Sequence, residues 1–214
     1  MIKHWKKGLH ELGFRRAPEG RCTFARGEGF FRQMIWESPS RFEKGKVLIH
    51  LAVAVRDRFL RPPPYVIALV ACLRADGAVI QDHGEGTWWG ESEGEAAYAA
   101  LLRHGVPWLE EYSDARRLSE YLERVLREGI RGVEPRDPVA RLAARLLLPR
   151  VAGPALRRPP VYNYFLSLIH DEAGDTAAAR ATAERWLVHP AHLNAPGEPE
   201  RTARHLAELD RAAE

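Results

Sequence analysis

Apolar positions Ile2, Trp5, Leu9 and Leu12 recur at helical spacing, and Gly13 stands where a C-terminal glycine cap belongs. A short amphipathic helix docked by Trp5 and Leu9 is expected there. The period then shortens to two. "RCTFAR" and "GFFRQMIWES" alternate as strands around "GEG", whose glycines suit a hairpin. "KVLIHLAVAV" puts Val47, Ile49, Leu51, Val53 and Val55 on one face and Leu48, His50, Ala52 and Ala54 on the other, and "YVIALVACLR" follows Pro62, Pro63 and Pro64. Both runs are apolar on two sides, which predicts central strands covered on each face.

From residue 91 the pattern turns helical. Ser92 with Glu95 reads as a capping box opening a helix through Ala97, Tyr98, Leu101 and Leu102 to Gly105, with Glu91, Glu93 and Glu95 at its favourable N-terminal pole. "VPWLEE" is expected to form a corner with Trp108 and Leu109 inward. Ser113 or Asp114 then begins a helix carrying Leu118, Tyr121, Leu122, Val125 and Leu126 to about Gly129. "GIRGVEPRDP", residues 129–138, concentrates Gly, Pro and charge and marks the expected domain boundary. Beyond it all segments read as helices: Asp137 to Leu148, Val161 to Ala173, about Asp175 to Val188, and Glu198 to Ala212. The predicted class is α+β: an antiparallel sheet flanked by helices in residues 1–132, then an all-helical region, 133–214, docked on it.

Composition narrows the function classes. The 214 residues are 45% hydrophobic and 29% charged, as in an ordinary globular protein. Cys22 and Cys72 sit at no metal-ligand spacing, so a reducing, cytoplasmic setting is expected. The lysines of "MIKHWKKGLHELG" precede no apolar run, and "YVIALVACL" is about half a membrane span, so neither a signal peptide nor membrane insertion is expected. Residues 1–61 hold 14 Lys and Arg against 6 Asp and Glu, while the remainder holds 18 against 23. That asymmetry allows nucleic-acid binding, yet the basic residues are scattered and lack aromatic interleaving, so solvated faces are the favoured reading.

Catalytic motifs are scarce. "GEGTWWG" has neither the Lys-Ser/Thr ending of a phosphate loop nor a dinucleotide fingerprint, and no cofactor is predicted. His189 and His192 in "HPAH" have metal-like spacing without a third ligand, and no metal is predicted. Asp82, His83 and Glu85 could supply a base and its orienting carboxylate, although a polar turn before an aromatic anchor explains them as well. His50, in a row of small residues, reads first as a hydrogen-bonded core histidine. Adjacent Trp88 and Trp89 must point to opposite faces of an extended segment, so one enters the core and the other is the candidate anchor for a partner. The leading expectation is a non-catalytic protein-interaction module using Trp88, Trp89, Trp36 and His50. The alternative is a small-molecule-binding domain or hydrolase around His50, Trp36 and the Asp82–Glu85 loop.

Two resemblances follow from ordered motifs. "LGFRR", "CTFAR", "FFRQMIWESP", "VLIHLAVAV", the "TWW" pair and "HGVPWLEEYSD" resemble, in order and spacing over roughly residues 5–126, an uncharacterised bacterial family, domain of unknown function 4304. Glu37 and Ser38 stand where its members tend to carry an amide and a base. The resemblance implies a common α+β fold and brings no activity, cofactor or catalytic residue. "VYNYFLSLIHDEAGDTAAARATAERWLVHP" is similar to one tetratricopeptide-type hairpin, with Gly174 and Asp175 at the turn, Ala179 at the small position and Pro190 near the end. Trp186 and Ala183 depart from that pattern, and no second copy follows, so a lone helical pair is expected.

Overall fold

The computed structural model describes residues 1–18, 23–40, 44–60, 65–74, 79–80, 88–128, 161–188 and 197–213. Its contacts separate two compact units, Met1–Asp114 and Ala115–Glu214. The expected boundary stretch 129–138, the helix from Asp137 to Leu148, the Asp82–Glu85 loop and the His189/His192 pair lie outside the described residues.

In the first unit the long apolar run near residue 50 becomes the organising strand. The strands are β1 (Arg15–Arg16), β2 (Thr23–Arg26), β3 (Phe31–Pro39), β4 (Lys46–Arg56), β5 (Tyr65–Leu73), β6 (Val79–Ile80) and β7 (Trp88–Gly90). They form one antiparallel sheet in the order β1 to β6, with β7 on β4. One edge of β4 pairs with β3 from Val47 to Val55. Its other edge is shared: β5 takes Ile49 to Arg56 and β7 takes Lys46 to Leu48. The fold class expected from the alternating and helical periods is the one observed.

A turn of 3-10 helix, Ile2–Trp5, leads into α1 (Lys6–Glu11). Gly13 lies at φ 84°. The Gly13 N–H donates to His10 O and the Phe14 N–H to Leu9 O, the paired bonds of a Schellman cap, and Leu9 and Phe14 are both wholly buried. The face carrying Ile35, Ile49, Leu51, Val53 and Leu73 is buried. Helices lie against it: the Gln33 amide donates to Leu109 O and Ser113 Oγ, and the Ile2 N–H donates to a Glu37 carboxylate oxygen. Glu37 thus holds the first helical turn.

Two expectations for residues 90–111 are corrected. The cap does not fall on Ser92 and Glu95. Glu93 accepts from the Gly90 N–H instead, and a 3-10 turn, Glu91–Glu93, precedes α2 (Gly94–Ala100). Nor is "VPWLEE" a corner. One π-helical turn, Leu101–Gly105, connects α2 to α3 (Val106–Glu111), so the helix runs on through the proline. Pro107 has no N–H to give the preceding turn, and a wider turn there removes the conflict that a regular α-helix would meet. Gly105 allows close approach to the sheet, since a Cβ there would stand 2.7 Å from Leu101 Cδ1 and 3.2 Å from Leu51 Cδ1.

The second unit contains α4 (Ala115–Glu128), α5 (Val161–Glu172), α6 (Thr176–Leu187) and α7 (Glu198–Ala213). Gly174, at φ 78°, turns α5 into α6. The Asp175 side chain caps α6 by accepting from the Ala178 N–H at 2.9 Å. Ala179 is wholly buried and its carbonyl accepts from Ser167 Oγ, so the small residue is where the hairpin requires it. Trp186 fills the core that the tetratricopeptide pattern closes with a smaller side chain. Buried His170 places Nε2 3.2 Å from Glu123 Oε1, tying α5 to α4.

Candidate functional site

Opposed residues of an antiparallel pair project from the same face. Register therefore locates the candidates. Trp36 opposes His50, His50 opposes Cys72, and Leu48 opposes Trp88, which puts Trp36, His50, Cys72 and Trp88 on the second face of the sheet. Trp89 opposes Val47 and enters the other face, where it is only 2% exposed and its indole N–H donates to Leu73 O at 2.8 Å. Trp88 is half-buried. The adjacent tryptophans divide as strand alternation requires: Trp89 belongs to the core, Trp88 to the second face.

Trp36 lies flat on His50, with ring centroids 4.8 Å apart and planes 11° from parallel. Cys72 Sγ is 3.5 Å from His50 Nδ1 on the opposite side of the pairing. A thiol beside an imidazole has the composition of a nucleophile and its base. Both residues are buried, however, Cys72 at 1% and His50 at 8% exposure, and the imidazole lies against the Trp36 ring. The arrangement is suited to packing and contact. Next along the face, Ala17, Ala25, Met34, Ala52 and Ala54 form a low, buried floor with Trp36, Tyr65 and Val70 packed against it.

At the far end of the face the folding gathers what the sequence scatters. Arg15 opposes Ala25, Arg32 opposes Ala54, and Arg56 opposes Tyr65. These three, with Ala25, Tyr65 and Glu28, line a groove of about 370 Å³; Arg16, opposite Phe24, and Arg26, opposite Gln33, also border it but belong by register to the helix-covered face. Reading the basic residues as dispersed solvated positions misses this convergence, because Arg15, Arg32 and Arg56 come from three different strands. Their shared alternation phase with the alanines is the signal that was available. Arg26 is spoken for: its guanidinium donates to Gln33 Oε1, Leu12 O and Glu110 Oε1 and lies over the Phe14 ring.

Among the described residues, no three His, Cys, Asp or Glu side chains converge as a metal site, and no helix is long and apolar enough to cross a membrane. No family model, curated protein or solved structure matches the chain.

Proposed function

We propose that this chain is a non-catalytic protein-interaction module, and that the aromatic end of the second sheet face receives an apolar or aromatic segment of a partner protein. The observation that carries the reading is the division of the tryptophan pair: Trp88, half-buried, shares its face with Trp36 and His50, while Trp89 is committed to the core. Rigid aromatic side chains lose little conformational freedom on contact, and they supply a large share of affinity where the contact area is small. Stacking on His50 fixes the Trp36 ring in advance, which lowers the ordering cost of association. The closed Cys72–His50 pair favours contact over catalysis.

The test is an affinity capture with the full chain and its Trp88→Ala and Trp36→Ala variants. Trp88→Ala is expected to keep the parent melting temperature and lose the captured partner. If both variants retain every partner of the parent, the aromatic face is not the interface. If instead a small-molecule library raises the melting temperature of the parent and not of Trp36→Ala, the face is a ligand site and the protein-interaction reading gives way.

A further inference from the structure

The second sheet face carries aromatic side chains at one end and cations at the other. Resting on the protein-interaction reading of the aromatic end, we infer that the partner segment is acidic, with its apolar anchor against Trp36 and Trp88 and its carboxylates on Arg15, Arg32 and Arg56. Register puts these three arginines in phase with Trp36 and His50. Glu28 is the one carboxylate among the residues that line their groove. Guanidinium stays charged throughout the physiological range, so this end of the face attracts negative charge.

The three are not equivalent. Arg15 uses Nη1 on the carbonyls of His10 and Phe14. Arg32 lies over the Tyr65 ring, 5.3 Å from its centroid, and the Tyr65 hydroxyl donates to Gly29 O. Both are therefore held in place before a partner arrives. Arg56 is exposed, and its guanidinium makes no hydrogen bond or ion pair among the described residues. The planar guanidinium fork matches the two oxygens of a carboxylate, a pairing that fixes orientation as well as adding affinity.

Spacing and ring orientation select the class of partner. Arg32 stands four residues from Trp36 along β3 and Arg56 six from His50 along β4, so anchor and carboxylates are about 13–20 Å apart. The alanine floor between them is buried, which leaves contact to the two ends. A polypeptide carries both chemistries on one backbone, and about six extended residues cover the distance. A single-stranded nucleic acid would instead need ring faces open for base stacking. The Trp36 and His50 centroids are 4.8 Å apart, the spacing of neighbouring strands, so these rings stand upright on the sheet and face each other. One face of the Tyr65 ring is taken by Arg32. The face thus favours an acidic polypeptide.

The probe is a labelled synthetic peptide that carries paired leucines and, six residues on, three glutamates. Fluorescence anisotropy with the full chain is expected to show saturable binding that weakens as salt rises. Replacing the glutamates with glutamine should weaken binding about tenfold or more. Arg56→Glu, unchanged in melting temperature, should lose the glutamate peptide by a similar factor and bind the glutamine peptide like the parent. Arg116→Glu, in the second unit, should match the parent with both. Absence of saturable binding, or equal losses in the two charge-reversal variants, would overturn the inference. If the glutamate and glutamine peptides bind alike and Trp88→Ala abolishes both, the acidic assignment falls and the protein-interaction reading stands. If Trp88→Ala binds the glutamate peptide like the parent while Arg56→Glu does not, the aromatic anchor fails, and the reading and the inference fall together. A single-stranded oligonucleotide that displaces the peptide and depends on Arg56 and Trp88 would overturn both and make the face a nucleic-acid contact.

Discussion

Trp89 and Trp88 occupy consecutive positions and have opposite duties. Trp89→Ala removes a nearly enclosed indole together with its bond to Leu73 O, and the expected cost is about 3–5 kcal/mol from lost transfer energy and a residual cavity. Trp88→Ala should cost far less; denaturant midpoints of the two variants measure the difference. Gly27 is a second position where the backbone dictates the residue. It lies at φ 90°, and a Cβ would come within 2.6 Å of the Phe31 carbonyl oxygen. Gly27→Ala should therefore destabilise by about 1–3 kcal/mol and loosen the β2–β3 hairpin that carries Arg26 and Arg32, visible as a lower thermal midpoint. Tyr98, packed on Trp5 with ring centroids 5.5 Å apart, holds its phenol proton above the ordinary tyrosine value because burial disfavours the phenolate and the Glu11 charge adds to the effect. The raised native value means that the unfolded chain releases this proton first. Its contribution is whole below pH about 10 and is lost as pH climbs through the native value. Tyr98→Phe should reduce the decline of stability in that alkaline window, as followed by chemical denaturation across pH.

Helix and strand identities were legible wherever the apolar period was long and unambiguous. α1, β2 to β5 and the three C-terminal helices follow directly from spacing, from the Gly13 and Gly174 turns and from the Asp175 cap. The Asp175 cap gives a direct check: Asp175→Ala should lower stability by about 1 kcal/mol, whereas Asp175→Ser should retain most of it, as read from urea midpoints. The missed elements have physical causes. β1 and β6 span two residues each, too few to express alternation. The π-helical turn was hidden because Pro107 reads as a helix breaker, and only the tertiary seat of Leu101, Gly105 and Leu109 on the sheet makes continuation favourable. The candidate site was half legible. Alternation alone placed His50 with Ala52 and Ala54 and separated the tryptophans, but register across β3, β4 and β7 was needed to join Trp36, His50 and Trp88. The arginine groove needed the same long-range register, which a single chain pattern does not encode.

Residues 1–114 contain the sheet, its helical layer and the polar ties through Gln33, Arg26 and Glu37. A fragment ending at Asp114 is expected to melt cooperatively by both near- and far-ultraviolet circular dichroism; non-coincident transitions would show that the first unit does not fold by itself. Inside that unit, the divided edge of β4 has a kinetic consequence. β7 offers only three residues to Lys46–Leu48, while β5 and β3 grip the remainder along most of its length. Deuterium should therefore enter the amides bonded between β7 and β4 through a local opening, well before those of the β4 centre, which exchange only when the whole unit unfolds. Trp89→Ala, by releasing the indole from the end of β5, should accelerate that early uptake more than it accelerates uptake at Leu51 and Val53.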